Sequence, residues 1–306
     1  MAAGCRQSHD RRPMMPASTA TLSTFTASDG DNLVLRDWPV AEGVPLRGVV
    51  LLVHGLGEHA GRYEHLAREL NSWGFAVRGY DQFGHGESGG PRGGLPSDGR
   101  LVDDLAEMVQ SARTRTPDGV PLIVLGHSMG GLVAAQYAAA HPASIDALVL
   151  SSPALGTRVS GLQKLLLRTL PRLAPDLRLG NGLQTRWLSH DPEVERAYRA
   201  DPLVHDRISA RLAGFITGGG RPVVAQAPQW KVPTLLMYAG QDRLVDPAGS
   251  RAFAAAAPSQ LVTSHCFQDL YHEIFNEADA QPVFDCLRRW LDERAPAGAA
   301  QLARAA

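Results

Sequence analysis

Leu122-Ile123-Val124-Leu125-Gly126-His127-Ser128-Met129-Gly130-Gly131 joins an apolar run of strand character to the small-residue, helix-like stretch Leu132 to Ala140. The join has room only for a sharp turn, and Ser128 sits on it. A serine held there has a strained backbone and an outward-facing hydroxyl, while the flanking glycines let strand and helix approach without Cβ clashes. The placement suits a nucleophile. The pentapeptide G-x-S-x-G also occurs by chance as an ordinary turn, so its meaning depends on what surrounds it.

Outward from this turn, strand and helix patterns alternate. Thr21 to Thr26 and Leu33 to Trp38 read as an opening hairpin around Ser28-Asp29-Gly30-Asp31-Asn32. Strands are predicted at 48–53, 75–80, 122–126, 147–151, 234–239 and 264–268, with helices at about 62–73, 100–115, 128–140, 247–257 and 281–294. Runs such as Gly48 to Val53 are apolar throughout, as strands covered by helices on both faces must be. The pattern predicts an α/β fold with a doubly wound, mostly parallel sheet. Gly156 to Gln229 breaks the alternation with helix-like pieces punctuated by Pro171, Pro175, Pro192, Pro202, Pro222 and Pro228. It is too long for a structureless loop and reads as a helical cap. The expected organisation is a disordered leader at 1–20, a core built from 21–155 and 230–294, a cap at 156–229 and a flexible tail at 295–306.

A serine hydroxyl needs an imidazole to take its proton, and the imidazole needs a carboxylate to fix its tautomer and stabilise its cation. Both follow Ser128 in the order acid then His, the chain order of the α/β-hydrolase scaffold. Asp242 emerges after the strand-like run Thr234 to Ala239, and His272 follows the strand predicted at 264–268. Two other acids compete. Asp246 precedes Pro247 and looks like a helix N-cap, whereas Asp269 lies only three residues before His272. An oxyanion needs fixed amide donors; the N–H of Met129 and that of Leu56, in the loop after Gly48 to Val53, are the expected pair. His54, His127 and His85 belong to turn motifs and read as hydrogen-bonded positioners. None has metal-ligand spacing such as H-E-x-x-H, so no metal or other cofactor is expected.

Three stretches together carry a resemblance: His54-Gly55-Leu56-Gly57-Glu58-His59-Ala60-Gly61-Arg62-Tyr63, Asp81-Gln82-Phe83-Gly84-His85-Gly86-Glu87-Ser88-Gly89, and Gly126 to Gly131. The chain resembles the monoacylglycerol lipase and lysophospholipase family of serine α/β-hydrolases over roughly residues 21 to 294. The resemblance implies cleavage of a glycerol acyl ester, and it implies that Glu58 and Arg62 help order the polar end of the substrate pocket. One position departs: animal members often carry a second His three residues beyond the catalytic one, where Phe275 stands here.

Composition narrows the partners. A net charge of −1 and the absence of a basic stripe with interleaved aromatics argue against nucleic acid. Cys5, Cys266 and Cys286 show neither C-x-x-C spacing nor a pairing framework, which points to a reducing, cytoplasmic setting. No apolar run approaches the roughly 20 residues a membrane span needs. Leu162, Leu165, Leu166 and Leu170 recur at helical spacing with Lys164 and Arg168 between them. They either pack inward or line the mouth of an acyl tunnel, where Leu162 and Leu166 would touch substrate and a lipid surface. Arg and Lys outnumber Asp and Glu across Gly156 to Gln229, which favours anionic interfaces.

The expected protein is therefore an ester hydrolase of long-chain acyl groups, with monoacylglycerol as the leading substrate and lysophospholipids or simpler esters as rivals. A proline-type aminopeptidase would need acidic groups to bind an ammonium in a cap that here is net basic. Dehalogenases and epoxide hydrolases use a carboxylate nucleophile, which Ser128 excludes. A non-catalytic binding protein on the same scaffold is the reading from a different class.

Overall fold

The computed structural model describes residues 20–158 and 169–295. β1 (Thr21–Thr26) and β2 (Asn32–Trp38) pair antiparallel across the predicted turn. There follow β3 (Gly48–Val53), α1 (Glu64–Ser72), β4 (Phe75–Tyr80), α2 (Arg100–Arg113), β5 (Leu122–His127), α3 (Ser128–Ala140) and β6 (Ala147–Ser151). The chain then leaves the sheet for an excursion holding β7 (Arg178–Gly180), α4 (Pro192–Ala200), β8 (Arg207–Ser209) and α5 (Ala210–Gln226). It returns as β9 (Thr234–Ala239), α6 (Pro247–Ala256), β10 (Val262–Phe267) and α7 (Gln281–Arg294).

The main sheet has eight strands in the order β1-β2-β4-β3-β5-β6-β9-β10. From β4 to β10 every pairing is parallel, whereas β2 meets β4 antiparallel. The order reverses at β3, which has β4 on one side and β5 on the other. Such a switch opens a crevice at the carboxyl ends of the strands, where ligands of open α/β sheets bind. Leu56 follows β3, Ser128 follows β5, Asp242 follows β9 and His272 follows β10. All four therefore leave the sheet at the same edge.

Period-two alternation divides the core into two layers. Leu51 and Val53 of β3 join Leu105 and Met108 of α2, Leu132 of α3, Leu212 of α5 and Phe253 of α6 on one face. Val50 and Leu52 pack on the other face with Leu66 and Leu70 of α1 and Leu287 and Trp290 of α7. Helices thus cover both faces, which is why the central strands read as unbroken apolar runs.

Three differences from the sequence reading have simple causes. β10 starts at Val262, earlier than predicted, because it is an edge strand whose Thr263, Ser264 and His265 are exposed and hide the apolar signal. The helix predicted at 62–73 opens with a separate 3₁₀ turn, Ala60–Tyr63, before α1. The excursion, predicted as helical, also contains the antiparallel pair β7 and β8. Three residues each are too few to display an alternation. Leu162, Leu165 and Leu166, expected either to pack inward or to line a tunnel mouth, lie outside the described residues, as do 1–19 and 296–306; Leu170 is half-buried.

Candidate active site

Ser128 is one of two non-glycine residues among those described with a positive φ, at 54°. Such a backbone is strained for any L-residue, and packing holds it. A Cβ on Gly130 would lie 2.2 Å from the carbonyl oxygen of Val53, and one on Gly126 would lie 2.5 Å from that of Gly130. Both glycines are therefore required by the close approach of α3 to β3 and β5, which separates this elbow from a chance turn.

Ser128 Oγ lies 2.8 Å from His272 Nε2, and His272 Nδ1 lies 2.6 Å from Asp242 Oδ2. Asp242 Oδ1 accepts the backbone N–H groups of Leu244 and Val245 at 2.9 Å each, so both carboxylate oxygens are engaged. With Nδ1 donating to Asp242, Nε2 is left to accept the Ser128 hydroxyl proton. The rivals are placed elsewhere: Asp246 caps α6 through the Ala248 N–H at 3.1 Å, and Asp269 is exposed.

Burial pushes the Asp242 carboxyl up, but the His272 charge and the hydrogen bonds it accepts outweigh burial and hold it below its ordinary value. Burial pushes His272 down; the charge and hydrogen bond of Asp242 outweigh this and leave it raised. A base must be neutral to act. Activity should therefore rise with pH through a midpoint above the ordinary histidine value of about 6.5. A pH profile of kcat/KM on a p-nitrophenyl ester checks this, and an acid limb centred below that value would contradict it.

The other histidines are held by neighbours. His54 Nδ1 contacts the Gly55 carbonyl at 2.7 Å and its Nε2 accepts the Gln82 N–H at 2.9 Å. His85 Nδ1 donates to the Phe83 carbonyl at 2.9 Å. His127 lies 3.1 Å from Ser151 Oγ, with its ring 4.8 Å from that of His272; burial and then the His272 charge lower it to about 4.

Ser128, His272, Leu56 and Met129 share the wall of one cavity of about 400 Å³. Met129 lies in the first turn of α3, where N–H groups lack helical acceptors. Ala154, Leu183, Trp187, Ile208, Ile216, Leu244 and Val245 supply apolar lining, Arg158 and Arg243 supply charge, and among the described residues no Asp or Glu lines the wall. Glu58 and Arg62 are not part of it. Glu58 is buried and Arg62 partly so, and they turn onto each other, Tyr63 and Glu273. Expected to order the polar end of the substrate pocket, their side chains lie behind its wall rather than in it.

Comparison with known proteins follows the same line. The family model described as "Serine aminopeptidase, S33" matches residues 44–279. A monoacylglycerol lipase of Mycolicibacterium smegmatis is 37% identical over 280 residues, covering 90% of this chain and 99% of the relative. The chain belongs to the monoacylglycerol lipase and lysophospholipase family of serine α/β-hydrolases. The human monoglyceride lipase is 31% identical over 301 residues, with 96% of this chain and 98% of that protein covered. The crystal structure of the Paleococcus ferrophilus monoacylglycerol lipase superposes with a TM-score of 0.77 at 34% identity, covering 86% of this chain and 99% of that one. This member of the monoacylglycerol lipase family is a carboxylic ester hydrolase.

Two residues at this family site had no sequence signal. Trp187, in a short 3₁₀ turn of the excursion, lines the cavity and carries the Arg243 guanidinium 4.4 Å from its ring centroid. Glu273 meets Arg62, a residue 211 positions away, and nothing local announces that pairing.

Proposed function

We propose that the protein hydrolyses long-chain monoacylglycerol to glycerol and fatty acid. Ser128 attacks the ester carbonyl while His272 takes its proton, and Asp242 holds the imidazole and stabilises its cation. The Met129 and Leu56 amides receive the oxyanion. His272 then returns the proton to the departing glycerol oxygen, and water repeats the cycle on the acyl-enzyme. The observation that carries this reading is the relay of 2.8 and 2.6 Å contacts opening into a largely apolar cavity of about 400 Å³. The bacterial and human relatives, named monoacylglycerol lipase and monoglyceride lipase, agree with it.

A lysophospholipid is the second reading, favoured by Arg158 and Arg243 in the cavity wall. Peptide N-termini fit poorly, since an ammonium seeks carboxylates and none lines the cavity among the described residues. Rates on monoacylglycerols, lysophospholipids, p-nitrophenyl esters and prolyl-peptides of matched size decide among these. Monoacylglycerol should give the highest kcat/KM; peptide cleavage exceeding ester cleavage would overturn the reading.

The excursion at 156–229 would serve as a cap over this cavity and as the contact with lipid surfaces. Among the described residues no helix is long and apolar enough to cross a membrane. Leu173, Leu177 and Leu179, however, are 82%, 45% and 52% exposed, beside the exposed Arg178. Apolar side chains among arginines suit a peripheral lipid interface, consistent with a cytoplasmic, peripherally associated enzyme. Replacing Leu177 and Leu179 with Ser should slow turnover of vesicle-borne monoacylglycerol while leaving Tm and soluble p-nitrophenyl acetate hydrolysis nearly unchanged. Equal losses on both substrates would remove the lipid contact from the account.

A further inference from the structure

Buried Glu58 and Glu273 and the partly buried Arg62 form a charge cluster that the hydrolytic steps leave unused. Glu58 Oε1 accepts the Gly55 N–H and the Tyr63 hydroxyl at 2.6 Å each, while its Oε2 accepts from Arg62. Arg62 reaches Glu273 with both prongs of its guanidinium, Nη1 to Oε1 and Nη2 to Oε2, at 2.8 Å each. Asn276 donates to Glu273 Oε2 at 2.7 Å, and the Glu273 N–H donates to the Leu188 carbonyl at 2.8 Å. At the other end, Gly55 is wedged tightly. A Cβ there would lie 2.8 Å from Glu58 Oε1 and 3.2 Å from Ser128 Cβ.

One guanidinium thus bridges the loop that carries Leu56 and the loop that carries His272. A largely buried ion cluster of this kind returns little stability, because desolvating the ions offsets their attraction. Its planar, two-pronged geometry instead fixes position. Misplacing reacting groups by about 1 Å can cost about a hundredfold in rate, so the separation of these two loops matters to catalysis.

We propose, resting on the triad roles given above, that Arg62 and Glu273 are positioning residues. Their ion pair, anchored through Glu58 to the Gly55 amide, holds the oxyanion loop and the histidine loop in register for a single tetrahedral intermediate. The cluster also carries two carboxylates for one guanidinium. His272 faces Asp242 at Nδ1, Ser128 at Nε2 and the ring of His127, which is neutral in the working range. Burial pushes Glu58 and Glu273 up, yet the Arg62 charge, together with the neighbouring histidines and the hydrogen bonds they accept from Tyr63 and Arg62, keeps both below their ordinary value, Glu58 at about 2. Both carboxylates favour the His272 cation that forms during the reaction.

Three variants assayed on p-nitrophenyl butyrate test this, since that ester reports on the machinery and not on recognition of glycerol. Arg62→Lys keeps the charge and loses the fork; its kcat should fall about tenfold or more with KM within about twofold and the acid limb in place. Glu273→Gln should lower kcat and also move the acid limb to lower pH, because a negative charge beside the imidazolium is lost. Should that variant fail to fold, Glu273→Asp takes its place, with a lower kcat and an unmoved limb. Folded variants with wild-type kcat, or with losses confined to KM or Tm, would overturn the proposal. An active Ser128→Ala would instead overturn the triad roles, and the clamp with them; an inactive Ser128→Ala beside a fully active Arg62→Lys would overturn the clamp alone.

Discussion

Ser128→Ala should lower hydrolysis of monoacylglycerol and of p-nitrophenyl esters by roughly six orders of magnitude, the scale on which a relay acts when its nucleophile is removed. No other side chain can take over, because the elbow that aims Oγ at His272 Nε2 is built around this position. The fold should survive. Alanine occupies the same φ of 54° with comparable strain, and the lost hydroxyl removes one hydrogen bond worth about 1 kcal/mol. A residual rate should persist from the oxyanion amides and from binding. Kinetics on the purified variant, with Tm measured alongside, check both halves. Activity above about a tenth of wild type would place the nucleophile elsewhere.

Asp242→Asn should cost about four orders of magnitude in kcat through the wrong tautomer. An amide at Oδ2 donates where a carboxylate accepts, so the imidazole turns its Nδ1 lone pair to Asn and points a proton at Ser128. The bonds from Leu244 and Val245 to Oδ1 remain available, which should leave the loop in place. The residual acid limb should move to lower pH, since the carboxylate that raises His272 is gone. Asp246→Asn retains a good N-cap on α6 and Asp269→Asn changes an exposed side chain; both should stay within about twofold of wild type. A loss in the Asp269 variant matching that of Asp242→Asn would contradict the assignment.

The legible parts of this protein are those whose signal is local. Val50, Leu51 and Leu52 are apolar in succession because helices cover both faces of β3, and that alone predicts a buried parallel strand. Gly126 and Gly130 flank Ser128 because strand and helix touch there, so the elbow is written into five residues. Asp242 could be chosen over Asp246 because the latter precedes a proline at a helix start, the role it has. What stayed hidden depends on distant pairing. The motif displays Glu58 and Arg62 as polar residues near the site, but only the fold shows that Arg62 turns to Glu273 and away from the cavity. Trp187 lies in a turn without periodicity, and β7 and β8 are too short to show any.

The most direct test of the account is covalent labelling of the intact protein with a long-chain alkyl fluorophosphonate, followed by peptide mass spectrometry. The account predicts one adduct per chain, on Ser128, formed faster as pH rises through the His272 titration and blocked by excess monoacylglycerol. No adduct on active protein, or an adduct on a residue other than Ser128, would contradict it.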